Sequence, residues 1–125
     1  MPALNLEWFF PVFQGCFLGL LAMALHEVGH LAAAMTLGLK IKTIGLSWKG
    51  LYTVRETGTP AKNLLVSLAG PATNFMLVLL WPLSPMFCMA NLCFTVANLL
   101  PVEGSDGERA LKCWRAMTHS TSLVP

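Results

Sequence analysis

Two histidines and a glutamate follow the pattern HExxH at His26, Glu27 and His30. Residues four apart lie on one face of a helix, so the two imidazoles are aimed at a common point where they can share a metal ion. In zinc proteases, the glutamate of this motif serves as the base for a metal-bound water. The pattern predicts a zinc site with His26 and His30 as ligands and Glu27 as the catalytic base.

The residues around this motif are apolar. From Phe9 to Leu39 the only polar side chains outside the motif are Gln14 and Thr36, and no Lys or Arg stands near Glu27 to pair with it. Ionisable side chains inside a membrane span are costly and often mark a functional site. This setting favours a functional motif over a chance match or a histidine that only packs in a core.

The composition is that of a membrane protein. The 125 residues are 55% hydrophobic and 11% charged, a length that permits one domain, residues 1–125, with three or four spans. No Lys or Arg precedes the first apolar run, so no cleavable signal peptide is expected. The four cysteines form no CxxC pair and are interpreted as packing residues. No nucleic-acid motif occurs, and no nucleic-acid partner is expected.

The predicted fold is an all-α membrane protein with three transmembrane helices, a membrane-associated β-hairpin and a C-terminal interfacial helix. The spans are expected at about residues 9–37, 60–81 and 85–100. The segment at about 40–56 is rich in Ile, Thr, Trp, Tyr and Val with Lys49-Gly50 near its middle, which predicts the hairpin. The segment at about 107–117 has an apolar side and a basic side, which predicts the interfacial helix.

Local signals mark the helix ends. Gly38 is expected to end the first helix, and Thr59 followed by Pro60 has the form of a cap and first residue of the second. Pro71 removes a backbone donor and is expected to kink the second helix.

The basic residues predict the orientation. All eight fall between spans one and two or after span three, and with three spans these two segments face the same side: Lys40, Lys42, Lys49, Arg55, Lys62, Arg109, Lys112 and Arg115. The positive-inside rule makes that side cytoplasmic. The chain is therefore expected to be an integral, multi-pass membrane protein with a cytoplasmic hairpin and C-terminal segment. His30 lies roughly 15 Å along the helix from Lys40, so the metal is expected within the membrane near this face.

A catalytic zinc site needs three protein ligands. The extended motif HExxHxxGxxH is absent, because Ala33 and Thr36 stand at its Gly and last His positions. Asp106 is favoured as third ligand, because it follows the helix break at Pro101 on the side where span one ends. The other side chains considered are Glu56, Glu103, Glu108 and His119. Polar residues also share one face within spans two and three, and packing and function are weighed about evenly for them: Ser67, Asn74, Asn91, Thr95 and Asn98.

Three motifs follow one another: His26-Glu27-Val28-Gly29-His30, Gly70-Pro71-Ala72-Thr73-Asn74, and Asn98-Leu99-Leu100-Pro101 with Asp106-Gly107. In this order and spacing they resemble the site-2 protease family of intramembrane zinc metalloproteases, over roughly residues 13–111. The resemblance implies that Asp106 is the third ligand of one Zn²⁺ per chain. It also implies that Asn74 and Asn98 are polar positions near the site, where we expect them to contact substrate.

The function expected from the resemblance is hydrolysis of peptide bonds within or near the transmembrane segments of membrane proteins, that is, regulated intramembrane proteolysis. The partners expected are a single-span membrane protein substrate, received with help from the hairpin, and the lipid bilayer. The chain resembles the bare three-helix core of the family, so an oligomer or a regulatory membrane partner is expected to shield the substrate path. Glu108 stands where a second Gly often follows Asp-Gly, which puts the loop geometry in question.

Other functions remain open at this point. A non-catalytic, metal-binding membrane scaffold that recognises a partner helix would keep the fold without needing Glu27. A membrane protease of another HExxH family would use a glutamate as third ligand. A small channel or transporter has no support beyond the polar residues in the spans.

Overall fold

The computed structural model describes residues 6–48 and 50–121, which fold into four α-helices and one β-hairpin. The elements are α1 (Phe9–Thr36), β1 (Ile41–Ser47), β2 (Gly50–Arg55), α2 (Pro60–Leu77), α3 (Pro85–Leu99) and α4 (Asp106–Thr121). Short 3₁₀ turns at Leu6–Trp8 and Val78–Leu80 adjoin helices α1 and α2. Helix α2 is central, because it packs against each of the other three helices.

Helix α1 ends where the sequence predicts, at a glycine. Gly38 has φ 75°, a left-handed conformation that costs glycine little, and its N–H donates to the carbonyl of Met35 at 3.0 Å. The N–H of Leu39 donates to Ala34 at 2.9 Å, which satisfies another carbonyl of the last turn. Leu39 then packs with Ala34 and Val66 in a small core that joins α1 to α2.

The predicted hairpin is present. β1 and β2 pair antiparallel, with Ile44 opposite Thr53 and Gly45 opposite Tyr52. The Tyr52 ring lies over Gly45 so closely that any side chain there would collide with it. Lys49, which the sequence places in the turn, lies outside the described residues. The hairpin exposes large apolar side chains, of which Trp48 is 91% exposed.

Helix α2 begins with the predicted cap. The Thr59 hydroxyl accepts a hydrogen bond from the N–H of Lys62 at 3.3 Å, and Pro60 is the first helical residue. The helix continues through Pro71, whose carbonyl accepts from the Thr95 hydroxyl on α3 at 3.4 Å. Cross-helix hydrogen bonds of this kind hold α3 against α2.

The C-terminal helix is longer than predicted. The segment expected at about 107–117 is helical from Asp106 to Thr121. The start lies earlier because the Ser105 hydroxyl caps it, accepting from the N–H of Glu108 at 3.1 Å. The end lies later because the Thr118 hydroxyl returns its hydrogen bond to carbonyls of the preceding turn and leaves the helix intact. The helix therefore extends as far as Thr121, and residues 122–125 lie outside the described residues.

Two helical segments are long and apolar enough to cross a membrane, Phe9–Thr36 and Pro60–Leu80. Their most apolar windows are only 11% and 28% buried, whereas the core helix of a soluble protein is mostly buried. Many large apolar side chains of α1 face outward: Phe9, Phe10, Val12, Phe13, Phe17 and Leu20. These features favour membrane association. Helix α3 has 15 residues, about 22 Å, which is shorter than a bilayer core of about 30 Å, so three spans stay a prediction.

Candidate metal centre

Three side chains predicted as metal ligands meet at one point. His26 and His30 lie one turn apart on α1, and Asp106 is the first residue of α4. Asp106 Oδ2 lies 2.9 Å from His26 Nε2 and 3.1 Å from His30 Nε2, and the two Nε2 atoms are 3.1 Å apart. The three atoms form a nearly equilateral triangle that is buried among the helices.

The size of this triangle suits a tetrahedral ion. Zinc lies about 2.0–2.2 Å from nitrogen and oxygen ligands, so two ligand atoms in a tetrahedron are about 3.3–3.5 Å apart. The observed separations of 2.9–3.1 Å are within a few tenths of an ångström of that spacing. A small outward shift of side chains would let these residues hold zinc and leave a fourth position open.

The other ring nitrogens already have acceptors. His26 Nδ1 donates to Asn74 Oδ1 at 2.8 Å, and His30 Nδ1 donates to the backbone carbonyl of Val66 at 2.6 Å. A neutral imidazole carries one ring proton, so a ring that donates from Nδ1 presents a lone pair at Nε2. Two lone pairs and a carboxylate oxygen then converge without a proton between them, which is the arrangement that a cation satisfies.

Asp106 contributes a negative charge. Burial alone would raise the pKa of its carboxyl, but the interactions with His26 and His30 outweigh burial and hold that pKa well below its usual range. Asp106 is therefore a carboxylate at neutral pH, which is the form that binds metal. Its other oxygen lies 3.7 Å from the guanidinium of Arg109, a longer contact at the solvent side.

Glu27 stands beside the triangle. The ligand atoms of His26, Glu27 and His30 all lie within 4.8 Å of one another, so this group too could hold a metal. Asp106 lies closer to both rings than that limit, which favours it as the third ligand. Within the described chain, no hydrogen bond or ion pair engages the Glu27 carboxylate. It is therefore free to act on a molecule beside the metal.

Glycines let the helices come close enough to form the site. A Cβ on Gly70 of α2 would overlap the His30 ring and come within 2.8 Å of His26 Cε1, so both imidazoles lie directly on the α2 backbone. A Cβ on Gly29 of α1 would lie 2.8 Å from the carbonyl of Ala69. A Cβ on Gly107 of α4 would collide with the carbonyl of Leu99. Helices α1, α2, α3 and α4 are thus joined by close contacts at the residues that flank the ligands.

The triangle opens onto a cavity of about 360 Å³. Helix α1 supplies Glu27 and the histidines, and strand β2 supplies Tyr52 and Arg55. The Arg55 guanidinium is anchored to the Asn63 side chain at 3.0 Å, and burial together with the charge of Arg109 lowers its pKa. The cavity is therefore a polar chamber, walled by the hairpin on one side, beside the histidine pair.

The two asparagines predicted to contact substrate occupy different places. Asn74 is fully buried, and its side chain bonds to His26, so its observed contact is with a metal-site residue. Asn98 lines the cavity, with its amide nitrogen donating to the carbonyl of Phe94 at 2.9 Å. A substrate contact stays a prediction for both.

The other side chains considered as third ligand are engaged or lie elsewhere. Glu108 pairs with Lys112 at 2.6 Å, and the hydrogen bonds from Lys112 and from the N–H of Gly104 lower its pKa. Glu56 accepts from the N–H of Lys40 at 3.3 Å. Glu103 is exposed in the loop before α4, and His119 is exposed near the end of that helix.

Sequence reasoning missed one contributor to the site and left the role of another undecided. The Val66 carbonyl accepts from His30, and no sequence pattern marks a backbone group for such a role. Asn91 bonds to Asn74 at 2.9 Å behind His26. The sequence placed Asn91 on one face of its helix with Asn98, and packing and function were weighed about evenly for that face.

Comparison with known proteins gives one informative match. No protein-family model matches the chain. A protein of Synechocystis sp. named "Putative zinc metalloprotease" is 32% identical over 103 residues, a match that takes in 70% of this chain. The chain spans about a quarter of that relative's length, since the match takes in 27% of it. The similarity is consistent with a metalloprotease-type function and with zinc as the metal.

Proposed function

We propose that this chain is an intramembrane zinc metalloprotease of the site-2 protease type. The observation that carries the proposal is the convergence of His26 Nε2, His30 Nε2 and Asp106 Oδ2 beside Glu27. The histidines and Glu27 lie on α1, an apolar helix long enough to span a membrane. The order of the three sequence motifs and the similarity to a zinc metalloprotease support it. His26, His30 and Asp106 hold one Zn²⁺ per chain in this proposal.

The zinc ion, when bound, supplies Lewis-acid chemistry that makes water nucleophilic near neutral pH and polarises a carbonyl oxygen. Glu27 is the general base, because it faces the same cavity and no hydrogen bond or ion pair within the described residues engages its carboxylate. Its carboxylate takes the proton of the attacking water and returns it to the leaving amine of the cleaved peptide. The helices around the site exclude bulk water from the reacting groups.

The proposed substrate is a single-span membrane protein. The backbone carbonyls of a transmembrane helix are hydrogen-bonded within the helix. The substrate segment must therefore unwind before its scissile amide can be attacked. Strand β2 lines the cavity through Leu51, Tyr52 and Thr53 and belongs to a sheet of only two strands within the described chain. An extended substrate segment could pair with a free edge of this sheet by strand addition, which would hold the scissile bond near Glu27.

The proposed setting is the lipid bilayer. Helices α1 and α2 with its 3₁₀ extension span it, and the shorter α3 completes a multi-pass arrangement with local thinning of the bilayer. The hairpin and α4 lie on the cytoplasmic side, where the basic residues concentrate. An oligomer or a regulatory membrane partner shields the substrate path at the exposed apolar faces of this small core.

The test of the proposed function is cleavage in a defined bilayer. The purified chain is reconstituted in liposomes with a tagged single-span substrate, and fragments are detected with zinc, after chelation, and after zinc is restored. Cleavage that follows the zinc supports the proposal. Binding of substrate without cleavage under every condition and with several substrates would instead support the non-catalytic scaffold.

A further inference from the structure

A chain of buried side chains links α3 to the metal site. Asn91 Nδ2 donates to the carbonyl of Phe87 at 2.8 Å, and Asn91 Oδ1 accepts from Asn74 Nδ2 at 2.9 Å. Asn74 Oδ1 in turn accepts from His26 Nδ1 at 2.8 Å. Both asparagines are fully buried, so no water competes for these bonds.

The direction of every bond in this chain is fixed by its far end. A backbone carbonyl can only accept, so Asn91 must turn its amide nitrogen to Phe87 and its oxygen to Asn74. Asn74 must then turn its nitrogen to Asn91, an orientation that the Ala22 carbonyl also favours at 3.2 Å. The Asn74 oxygen is left facing His26, and Nδ1 of that ring must carry the proton.

We infer that Asn91 is a positioning residue for the metal site, which acts through Asn74 to keep the His26 proton on Nδ1 and the Nε2 lone pair free for a cation. The inference rests on the proposed metal site. It differs from a packing role, because loss of packing would change stability without changing which ring nitrogen carries the proton. Partners that orient metal-binding histidines are typically worth about 10- to 100-fold in metal affinity.

The test compares two substitutions at the same position. Asn91→Leu keeps approximate volume and removes both polar atoms, so Asn74 loses the partner that best fixes its orientation. Asn91→Asp, neutral in this buried place, can still donate through its O–H to Phe87 and accept from Asn74. Thr95→Val is the matched control, because Thr95 is buried on the same helix and, among the residues the structure describes, its hydroxyl bonds only to backbone carbonyls.

Two measurements are made on each variant: the zinc dissociation constant, and nitrogen NMR of labelled histidine in metal-free protein. We expect wild type, Asn91→Asp and Thr95→Val to keep the His26 proton on Nδ1 and to bind zinc within about threefold of one another. Asn91→Leu should move part of that proton to Nε2 and weaken zinc binding about tenfold or more.

Three outcomes would overturn the inference. One is Asn91→Leu with the wild-type NMR pattern and zinc affinity. Another is Thr95→Val with the same losses as Asn91→Leu, which would mean that any disturbance of α3 suffices. The third outcome applies if Asn91→Leu does not fold. In that case, loss of the His26 Nδ1 proton in Asn91→Asp would overturn the inference. A wild-type chain that keeps the proton on Nδ1 and binds no zinc would instead defeat the proposed function and leave the Asn91 interaction standing.

Discussion

Each histidine of the site has one ring nitrogen held by the protein and one directed at Asp106. The holding groups come from α2, where the Val66 carbonyl accepts from His30 and the Asn74 side chain accepts from His26. The motif on α1 therefore supplies the two proposed histidine ligands, and α2 sets the orientation of their rings. Both contacts should be required for tight metal binding, in addition to the ligands themselves.

The proposed role of Asp106 as third ligand is tested by removing its carboxylate. Asp106→Ala leaves the two histidine nitrogens and no anionic ligand, so we expect zinc affinity to fall by more than about 100-fold. Substitution of a residue that only orients the ligands usually lowers metal affinity by less than this. Glu103→Ala is the control, since Glu103 is a nearby exposed acid in the preceding loop. Metal analysis of the two purified variants gives the result, and wild-type zinc content in Asp106→Ala would remove Asp106 from the ligand set.

The close packing of the imidazoles on α2 is tested at Gly70. Gly70→Ala places a methyl group where the His30 ring lies, so we expect lower zinc affinity and a loss of stability of about 1–3 kcal/mol. In Gly19→Ala the new Cβ has no neighbour within 4 Å. Because Gly19 lies within helix α1, this substitution should leave stability unchanged or raise it by up to about 1 kcal/mol. Zinc titration with thermal unfolding measures both, and equal behaviour of the two variants would refute this packing.

Among the secondary-structure elements, α4 has the most demanding placement. It must bring Asp106 to histidines about 80 positions earlier in the chain, and it does so by starting directly against the end of α3. Leu100 is extended before Pro101, as expected for a residue that precedes proline, and this ends α3. Gly107 then allows contact with the Leu99 carbonyl that no larger residue permits.

This placement predicts the effect of a methyl group at Gly107. Gly107→Ala should push the first turn of α4 away from α3 and carry Asp106 with it, so we expect zinc affinity to fall about tenfold or more while the helical content is kept. Gly15→Ala serves as its control, because a Cβ there makes only an ordinary contact with Met86 at 3.9 Å. Circular dichroism and zinc titration are the measurements, and a Gly107→Ala protein with normal zinc affinity would contradict the proposed placement.

The elements could be predicted from the sequence where local rules govern them. Gly38 ends α1 and Thr59 caps α2, because left-handed glycine and a threonine cap act within a few residues. The HExxH pair was also predictable, since helical spacing alone aligns its side chains. The start of α4 was misplaced by one residue, because the Ser105 cap was overlooked.

Contacts between distant residues were harder to predict. The partner of Asn74 depends on the rotation of α2 against α1, to which side-chain packing over the whole interface contributes. The sequence thus predicted a polar residue near the site and gave no means of choosing between substrate and His26 as its contact. Asn91 is a further step away, because its link to the site passes through Asn74.

At the scale of the whole molecule, the site lies toward the end of α1 that leads into the hairpin. The hairpin, the start of α2 and α4 gather at this end, while the turn at residues 81–84 lies between the other ends of α2 and α3. The basic residues also gather at the hairpin end. This polarity is what a membrane orientation with a cytoplasmic site end requires.

Cysteine labelling in intact membranes tests that orientation. In a variant without the four native cysteines, Lys42→Cys and Lys112→Cys should both react from the cytoplasmic side, because β1 follows one crossing and α4 follows three, and the two crossings between them return the chain to the same face. Leu83→Cys, in the exposed turn between α2 and α3, should react from the opposite side. Labelling of Lys42→Cys and Lys112→Cys from different faces would rule out three spans.

The central claim is that Glu27 performs proton transfer at a zinc site, and Glu27→Gln tests it most directly. The amide keeps the size and hydrogen bonding of the side chain but cannot act as a base near neutral pH, and it leaves His26, His30 and Asp106 in place. The measurement is cleavage of a reconstituted single-span substrate, with zinc content determined on the same protein. We predict full zinc content and a cleavage rate lowered by about 10²–10⁴-fold or more. A Glu27→Gln protein that keeps its zinc and cleaves at the wild-type rate would contradict this account.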